Sequence, residues 1–229
     1  MAFLLSDSSM CLDLLHVADQ MKVLDREMDY HHADVMDGHY CPNITLSPDF
    51  VKALCSVSEK PVEVHLMVEK PAQWLEIFAK AGASMLTMHA ETINTNAFRL
   101  IRQVRSLGCK VGIAINPATP FEYVSQYIDE IDRLVLMAVD VGYSGQAMVP
   151  QVVKKIRQAA DYNKAHGLSY EIMVDGCCNN QTYELYGRAG AEVLVMGSGL
   201  FGLDPDISKA IEIMRAQQAQ ACKKLAQAE

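Results

Sequence analysis

The chain has 229 residues, half of them hydrophobic, and a formal net charge of −8 at pH 7. That acidity, with basic residues scattered rather than clustered, argues against nucleic acid or an anionic membrane as partner, and no apolar run approaches the ~18–20 residues of a membrane span. Seven cysteines without paired spacing, and no basic leader ahead of Phe3-Leu4-Leu5, make a reducing, cytoplasmic setting the expectation.

In chain order, a short strand is predicted over 3–6 and a helix over 11–26, with Leu12, Leu15, Ala18, Met21 and Leu24 as its apolar positions. A strand over 29–36 follows, then a loop over 37–45 containing Pro42-Asn43. Ser47 reads as an N-cap with Pro48 at the first helical position, opening a helix to 56. The strand over 62–67 leads to Lys70-Pro71 and a helix to Lys80, closed by Gly82. Residues 84–89 read as strand four and 94–106 as its helix; strand five, 110–115, stops at Asn116-Pro117. Thr119-Pro120 starts another helix, and an apolar strand six spans 134–139. A helix over 150–166, strand seven over 170–174, a helix over 179–188, strand eight over 192–196 and a helix over 205–224 complete the chain.

Strand and helix thus alternate through eight units of about 29 residues each. Strands apolar on both faces and joined by helices imply a parallel sheet. Eight such units fit an α/β fold of one kind best, a single (β/α)8 TIM barrel of parallel strands, and no linker divides 1–229. In a barrel the carboxyl ends of the strands share one rim, where His32 and Asp34, His65, His89 and Asp175 would face one pocket.

Three features make that rim chemically interesting. In a strand, His32, Asp34 and Met36 share a face, as do Glu63, His65 and Met67. A lone buried histidine is more often a satisfied core residue than a ligand. Several desolvated polar groups at neighbouring strand ends are harder to explain that way, and imidazoles with carboxylates suit a divalent cation such as Zn²⁺, Mn²⁺, Co²⁺ or Fe²⁺. Second, Gly142, Gly145, Gly176 and Gly197-Ser198-Gly199 follow strands six, seven and eight. Each alone is an ordinary turn; clustered at successive strand ends they fit a phosphate held by exposed amides. Third, Met36, Met67 and Met137 lie near strand ends, where methionine is usually core filling.

Taken together, these segments resemble the ribulose-phosphate 3-epimerase family over nearly the whole chain. The matching motifs are His32-Ala33-Asp34-Val35-Met36-Asp37-Gly38, Pro42-Asn43, His65-Leu66-Met67-Val68, His89-Ala90-Glu91, Asn116-Pro117-Ala118-Thr119-Pro120, Gly142-Tyr143-Ser144-Gly145-Gln146 and Val174-Asp175-Gly176. Within the family, Asn43-Ile44-Thr45-Leu46-Ser47-Pro48 and His89-Ala90-Glu91-Thr92-Ile93-Asn94 look most like D-allulose-6-phosphate 3-epimerase.

The resemblance implies a ribulose-phosphate-binding barrel and an isomerase converting D-allulose 6-phosphate and D-fructose 6-phosphate. His32, Asp34, His65 and Asp175 would hold one divalent cation, Mg²⁺ being admissible beside the four named above. Asp34 and Asp175 would act as paired acid/bases, passing a proton at C3 through a cis-enediolate. Met36, Met67 and Met137 would cap the enediolate. Ser8, His65, Gly142, Gly145, Gln146, Gly176, Cys177, Gly197 and Ser198 would contact the phosphosugar. A homo-oligomer is implied, and no nicotinamide or flavin.

Four positions depart from the family pattern. Asp7 and Val141 stand where Pro is common, Tyr143 where Phe is common, and Glu63 where Asp is common, two residues before His65. Asp7 bears on the placement of Ser8, Val141 and Tyr143 on the shape of the phosphate loop, and Glu63 on the orientation of a metal ligand. The nearest rival reading is a ribulose-5-phosphate 3-epimerase. A metal-dependent lyase or decarboxylase on the same barrel would not need the second base, Asp175, and a non-catalytic sugar-phosphate-binding barrel is the third reading.

Overall fold

The computed structural model describes residues 3–227. The expected single domain over 1–229 and the reading of the N-terminal leader both include Met1 and Ala2, which with Ala228 and Glu229 lie outside those residues. Eight strands run parallel: β1 (Leu4–Ser8), β2 (Tyr30–Met36), β3 (Val62–Met67), β4 (Met85–His89), β5 (Lys110–Ile115), β6 (Arg133–Met137), β7 (Glu171–Asp175) and β8 (Val193–Met196). Each pairs with its sequence neighbour and β8 pairs with β1, which closes a (β/α)8 barrel, the TIM barrel expected. Outside it run α1 (Val17–Glu27), α2 (Pro48–Val57), α3 (Leu75–Ala81), α4 (Ala90–Ile93), α5 (Ala97–Ser106), α6 (Gln151–His166), α7 (Tyr183–Ala189), α8 (Ser198–Phe201) and α9 (Ile207–Ala226).

Outward-facing Leu5, Val64, Leu66, Leu86, Ile113, Leu134 and Val174 are buried beneath the helices, each worth roughly 1.5–3 kcal/mol. Inside, Ala114, Val135, Met137, Met173, Val193 and Val195 fill the barrel. At α2 the Ser47 hydroxyl accepts from the Phe50 amide with Pro48 next, the cap that the sequence predicts.

Two predicted helices differ. The one expected over 11–26 begins only at Val17, after a 3₁₀ turn over Ser9–Cys11; Leu14 and Leu15 are exposed, so the apolar spacing there marks no buried face. After β5 the chain makes two 3₁₀ turns, Phe121–Val124 and Ile128–Glu130, instead of an α-helix. Phe121, Val124 and Tyr127 are buried at a three-residue spacing that suits such turns.

Register positions the site. Ser8 pairs with His32, His32 with Glu63, Asp34 with His65, and Met137 with Asp175. A slip of one residue would turn each of these faces outward.

One cation is buried in the helical layer. Lys155 of α6 donates to the carbonyls of Asn116 (2.7 Å) and Pro117 (2.9 Å), pinning the turn after β5. Burial lowers its pKa from 10.5 to about 8, against a smaller opposing pull from Glu91. Between those values the unfolded chain binds a proton that the folded one has released, so this group makes stability rise with pH over that window. Lys155→Met is expected to abolish that component. The readout is the gain in denaturant midpoint between about pH 7.5 and about pH 10, which should be smaller in the variant than in wild type.

Candidate active site

Four side chains converge at the carboxyl end of the barrel. One donor atom from each of His32, Asp34, His65 and Asp175 lies within 4.8 Å of all the others. His32 Nε2 is 3.1 Å from His65 Nδ1, 3.3 Å from Asp34 Oδ1 and 3.6 Å from Asp175 Oδ2. His65 Nδ1 is 3.4 Å from Asp34 Oδ1 and 3.5 Å from Asp175 Oδ2. Four ligands about 2.1 Å from a tetrahedral centre are spaced roughly 3.4 Å apart, so this N2O2 set fits a divalent cation. Burial opposes charge on all four groups, yet their mutual contacts prevail: the carboxylates are held below their usual range and the imidazoles above theirs.

Each imidazole is anchored on its far side. His32 Nδ1 lies 3.2 Å from Glu63 Oε2, which leaves Nε2 toward the cluster. Glu63 therefore supports His32, not His65, the ligand nearest to it in sequence. His65 Nε2 lies 2.9 Å from His89 Nε2, with the two rings stacked. Burial pushes the His89 pKa down to about 4, so it is neutral and accepts there; its Nδ1 faces Glu91 at 3.4 Å. Glu91 is fixed in turn by Thr119 and the Asn116 amide. Such outer partners orient metal-binding imidazoles.

The cluster forms one end of a pocket. Asp34 and Asp175 line it with Met36, Met67 and Met137, whereas His32 and His65 stand behind the wall, fully buried. Ser8 lines it too, its hydroxyl donating to Asp34 Oδ2 at 2.7 Å. At the other end are Gly142, Gly145, Gln146, Gly176, Cys177, Gly197 and Ser198. Cys177 has φ +51°, alone among the described non-glycine residues in being positive, and follows Gly176 at φ +107°. Successive amides in such unusual conformations form anion-binding concavities. Gln146 spends its amide protons on the carbonyls of Asp140 and Tyr143, so its side chain shapes the loop.

The departures acquire physical roles here. Asp7 is buried outside the barrel and hydrogen-bonded to His31, whose other nitrogen is 3.0 Å from Asp25. An acid in an apolar layer is compensated by a basic partner on the paired strand. Val141 packs beside Met36, Cys41 and Met67. The Tyr143 hydroxyl donates to the Pro42 carbonyl (2.6 Å) and the Asn43 amide to the Gly142 carbonyl (2.8 Å), so the loop after β2 is tied to the pocket-lining loop after β6. Glu91 falls within a quoted motif, but Thr87 and Arg133, which hydrogen-bond to the Glu63 carboxylate, escape a reading of the sequence by motif. Their signal is a polar residue inside, or just after, an apolar strand.

Comparison with known proteins agrees with this geometry. A family profile described as "Ribulose-phosphate 3 epimerase family" matches residues 4–201. The chain belongs to the ribulose-phosphate 3-epimerase family. It is 39% identical over 193 residues to the ribulose-phosphate 3-epimerase of Bacillus subtilis (strain 168), spanning 83% of this chain and 87% of that one. With the enzyme of the same name from Escherichia coli (strain K12) it shares 35% identity over 219 residues, 95% of this chain and 96% of the other. Among solved structures, KGPDC from Streptococcus mutans superposes with a TM-score of 0.69 at 11% identity, covering 96% and 99% of the two chains, a likeness of fold. The family member described here is an epimerase of sugar phosphates, and its His/Asp cluster meets the demands of a divalent metal.

Proposed function

We propose that Asp34 and Asp175 are the two acid/bases of this epimerase, and that its substrate pair is D-ribulose 5-phosphate and D-xylulose 5-phosphate. The observation that carries the mechanism is the pair of carboxylates lining one pocket while touching the same two imidazoles. A C3 proton next to a C2 ketone is acidic enough for a carboxylate to remove once the resulting enediolate is stabilised. One aspartate takes that proton; the other delivers one to the opposite face, inverting C3. A divalent cation held by His32, Asp34, His65 and Asp175 would supply positive charge worth several kcal/mol to the enediolate. Met36, Met67 and Met137 offer soft, aprotic surface that keeps water from protonating the wrong face. Among the described residues no lysine or arginine lines the pocket, so the phosphate falls to backbone amides around 176–177 and 197–198.

The names of the curated relatives support the five-carbon sugar. The expectation of D-allulose 6-phosphate stands as the second reading, favoured by segments 43–48 and 89–94. Asn43 braces the phosphate loop, and His89 and Glu91 brace His65, so both segments touch the site.

Incubating metal-loaded protein in D2O with each sugar, and following C3 by NMR, tests both readings. Faster exchange and higher kcat/KM with D-ribulose 5-phosphate is the expected result; preference for D-allulose 6-phosphate establishes the second reading. Absence of C3 exchange with either sugar, metal being bound, overturns both in favour of a lyase or a binding protein.

A further inference from the structure

A line of buried polar side chains runs through the barrel interior from its floor to the metal cluster. At its base Arg133, the first residue of β6, is fully buried. Its guanidinium lies 4.2 Å above the Tyr30 ring. Nε (3.0 Å) and Nη2 (2.5 Å) both donate to Glu171 Oε2, and the Tyr30 hydroxyl donates to Glu171 Oε1 (2.9 Å). Nη1 donates to Glu63 Oε2 at 2.7 Å, the same oxygen that faces His32 Nδ1. The other oxygen, Oε1, takes the Thr87 hydroxyl. Thr87 has room for this because Gly112 lies opposite; a Cβ there would sit 1.9 Å from Thr87 Oγ1.

From this arrangement we infer that Arg133, out of reach of any substrate, is a positioning residue for the metal. The inference rests on reading His32, Asp34, His65 and Asp175 as the ligands. A planar guanidinium fork, locked on one side by Glu171 and Tyr30, has one direction left in which to hold Glu63. With both oxygens tied, the Glu63 carboxylate cannot rotate, and it presents a fixed acceptor to His32 Nδ1. With a cation in the cluster, that acceptor would take the Nδ1 proton and leave Nε2 aimed toward His65, Asp34 and Asp175. Without the fork, Glu63 would be a buried carboxylate with one oxygen unclamped, and the His32 ring would lose its anchor. A packing role alone would make no such link between the barrel floor and the cluster.

The test is titration of metal-stripped protein with Co²⁺ alone, followed by its visible absorption and by competition with a chelator. Arg133→Met and Glu63→Gln are each expected to weaken Co²⁺ binding about 10–100-fold, in the range of outer-shell losses. Their combination should cost no more than the worse single change, because the two act in series. Glu171→Gln, whose amide oxygen can still accept both Arg133 donors that now share Oε2, keeps the fork aimed at Glu63 and should stay within about twofold of wild type. If Arg133→Met does not fold, Arg133→Lys, which keeps the charge and loses the fork, should show the same fall. A variant at 133 that is less heat-stable yet binds Co²⁺ like wild type overturns the inference. Wild type that binds no Co²⁺ overturns the metal site itself, and with it this role.

Discussion

Asp175→Asn is expected to slow exchange of the C3 proton by about 10³-fold or more while the barrel stays folded, since a positioned acid/base is usually worth ~10²–10⁴-fold and this one also serves the cation. Asparagine keeps the shape of the side chain and an oxygen near His32 and His65, so the packing at the end of β7 survives. It loses the ability to carry a proton and the negative charge that the two imidazoles face at 3.6 and 3.5 Å. Both losses bear on the transition state, so kcat should fall far more than KM rises. The two are separable: a variant reloaded with Co²⁺ to full occupancy shows the loss of the base alone. C3 exchange by NMR, bound Co²⁺ and thermal unfolding are the three measurements. Near wild-type exchange in the fully loaded variant would remove Asp175 from the mechanism and return the lyase reading, which needs no second base.

Much of this site is legible in the sequence because strands alternate. Once 29–36 and 62–67 are read as strands, His32, Asp34 and His65 must face the barrel interior. Glycines after strands six, seven and eight mark the end of the pocket proposed for the phosphate for the same kind of reason: the backbone there has to turn sharply or come close. Arg133 is less legible. An apolar strand six predicted over 134–139 starts one residue after it, and nothing local reveals that the partners of its charge lie 70 and 38 residues away. Asp7 is similar. Alone it is a misplaced acid, and only the pairing of β1 with β2 sets it against His31. The failed helix over 11–16 has the opposite cause, since Leu12 and Leu15 keep a helical rhythm there while no neighbouring element covers Leu14 or Leu15. The ties between the loops after β2 and β6, Tyr143 to Pro42 and Asn43 to Gly142, are hidden from a local reading because they join residues about a hundred positions apart.

The end of the pocket proposed for the phosphate offers the second large effect, at Gly199. A Cβ at this residue would stand 2.0 Å from the Cys178 carbonyl oxygen and 3.0 Å from its carbon, and real Cβ contacts essentially never fall under 3.0 Å. The obstruction is backbone, so no side chain can swing aside. Gly199→Ala must therefore push α8 away from the segment after β7 by about an ångström, and these are the two walls, 176–178 and 197–199, between which the phosphate is proposed to sit. Displacements of that size cost up to ~10²-fold where positioning matters. The expected result is a KM for the phosphosugar raised at least about 10-fold, with a smaller fall in kcat and unchanged Co²⁺ affinity, because the metal cluster lies at the other end of the pocket. Gly145→Ala is the control. Its φ of +83° disfavours a side chain, but a Cβ there meets nothing within 4 Å, so it should cost only the ~1–3 kcal/mol of backbone strain. A Gly199→Ala protein with unchanged KM would separate α8 from phosphate binding and leave the loop after β6 as the remaining cradle. Equal losses of Co²⁺ and phosphosugar affinity would instead mean that the two ends of the pocket move as one body.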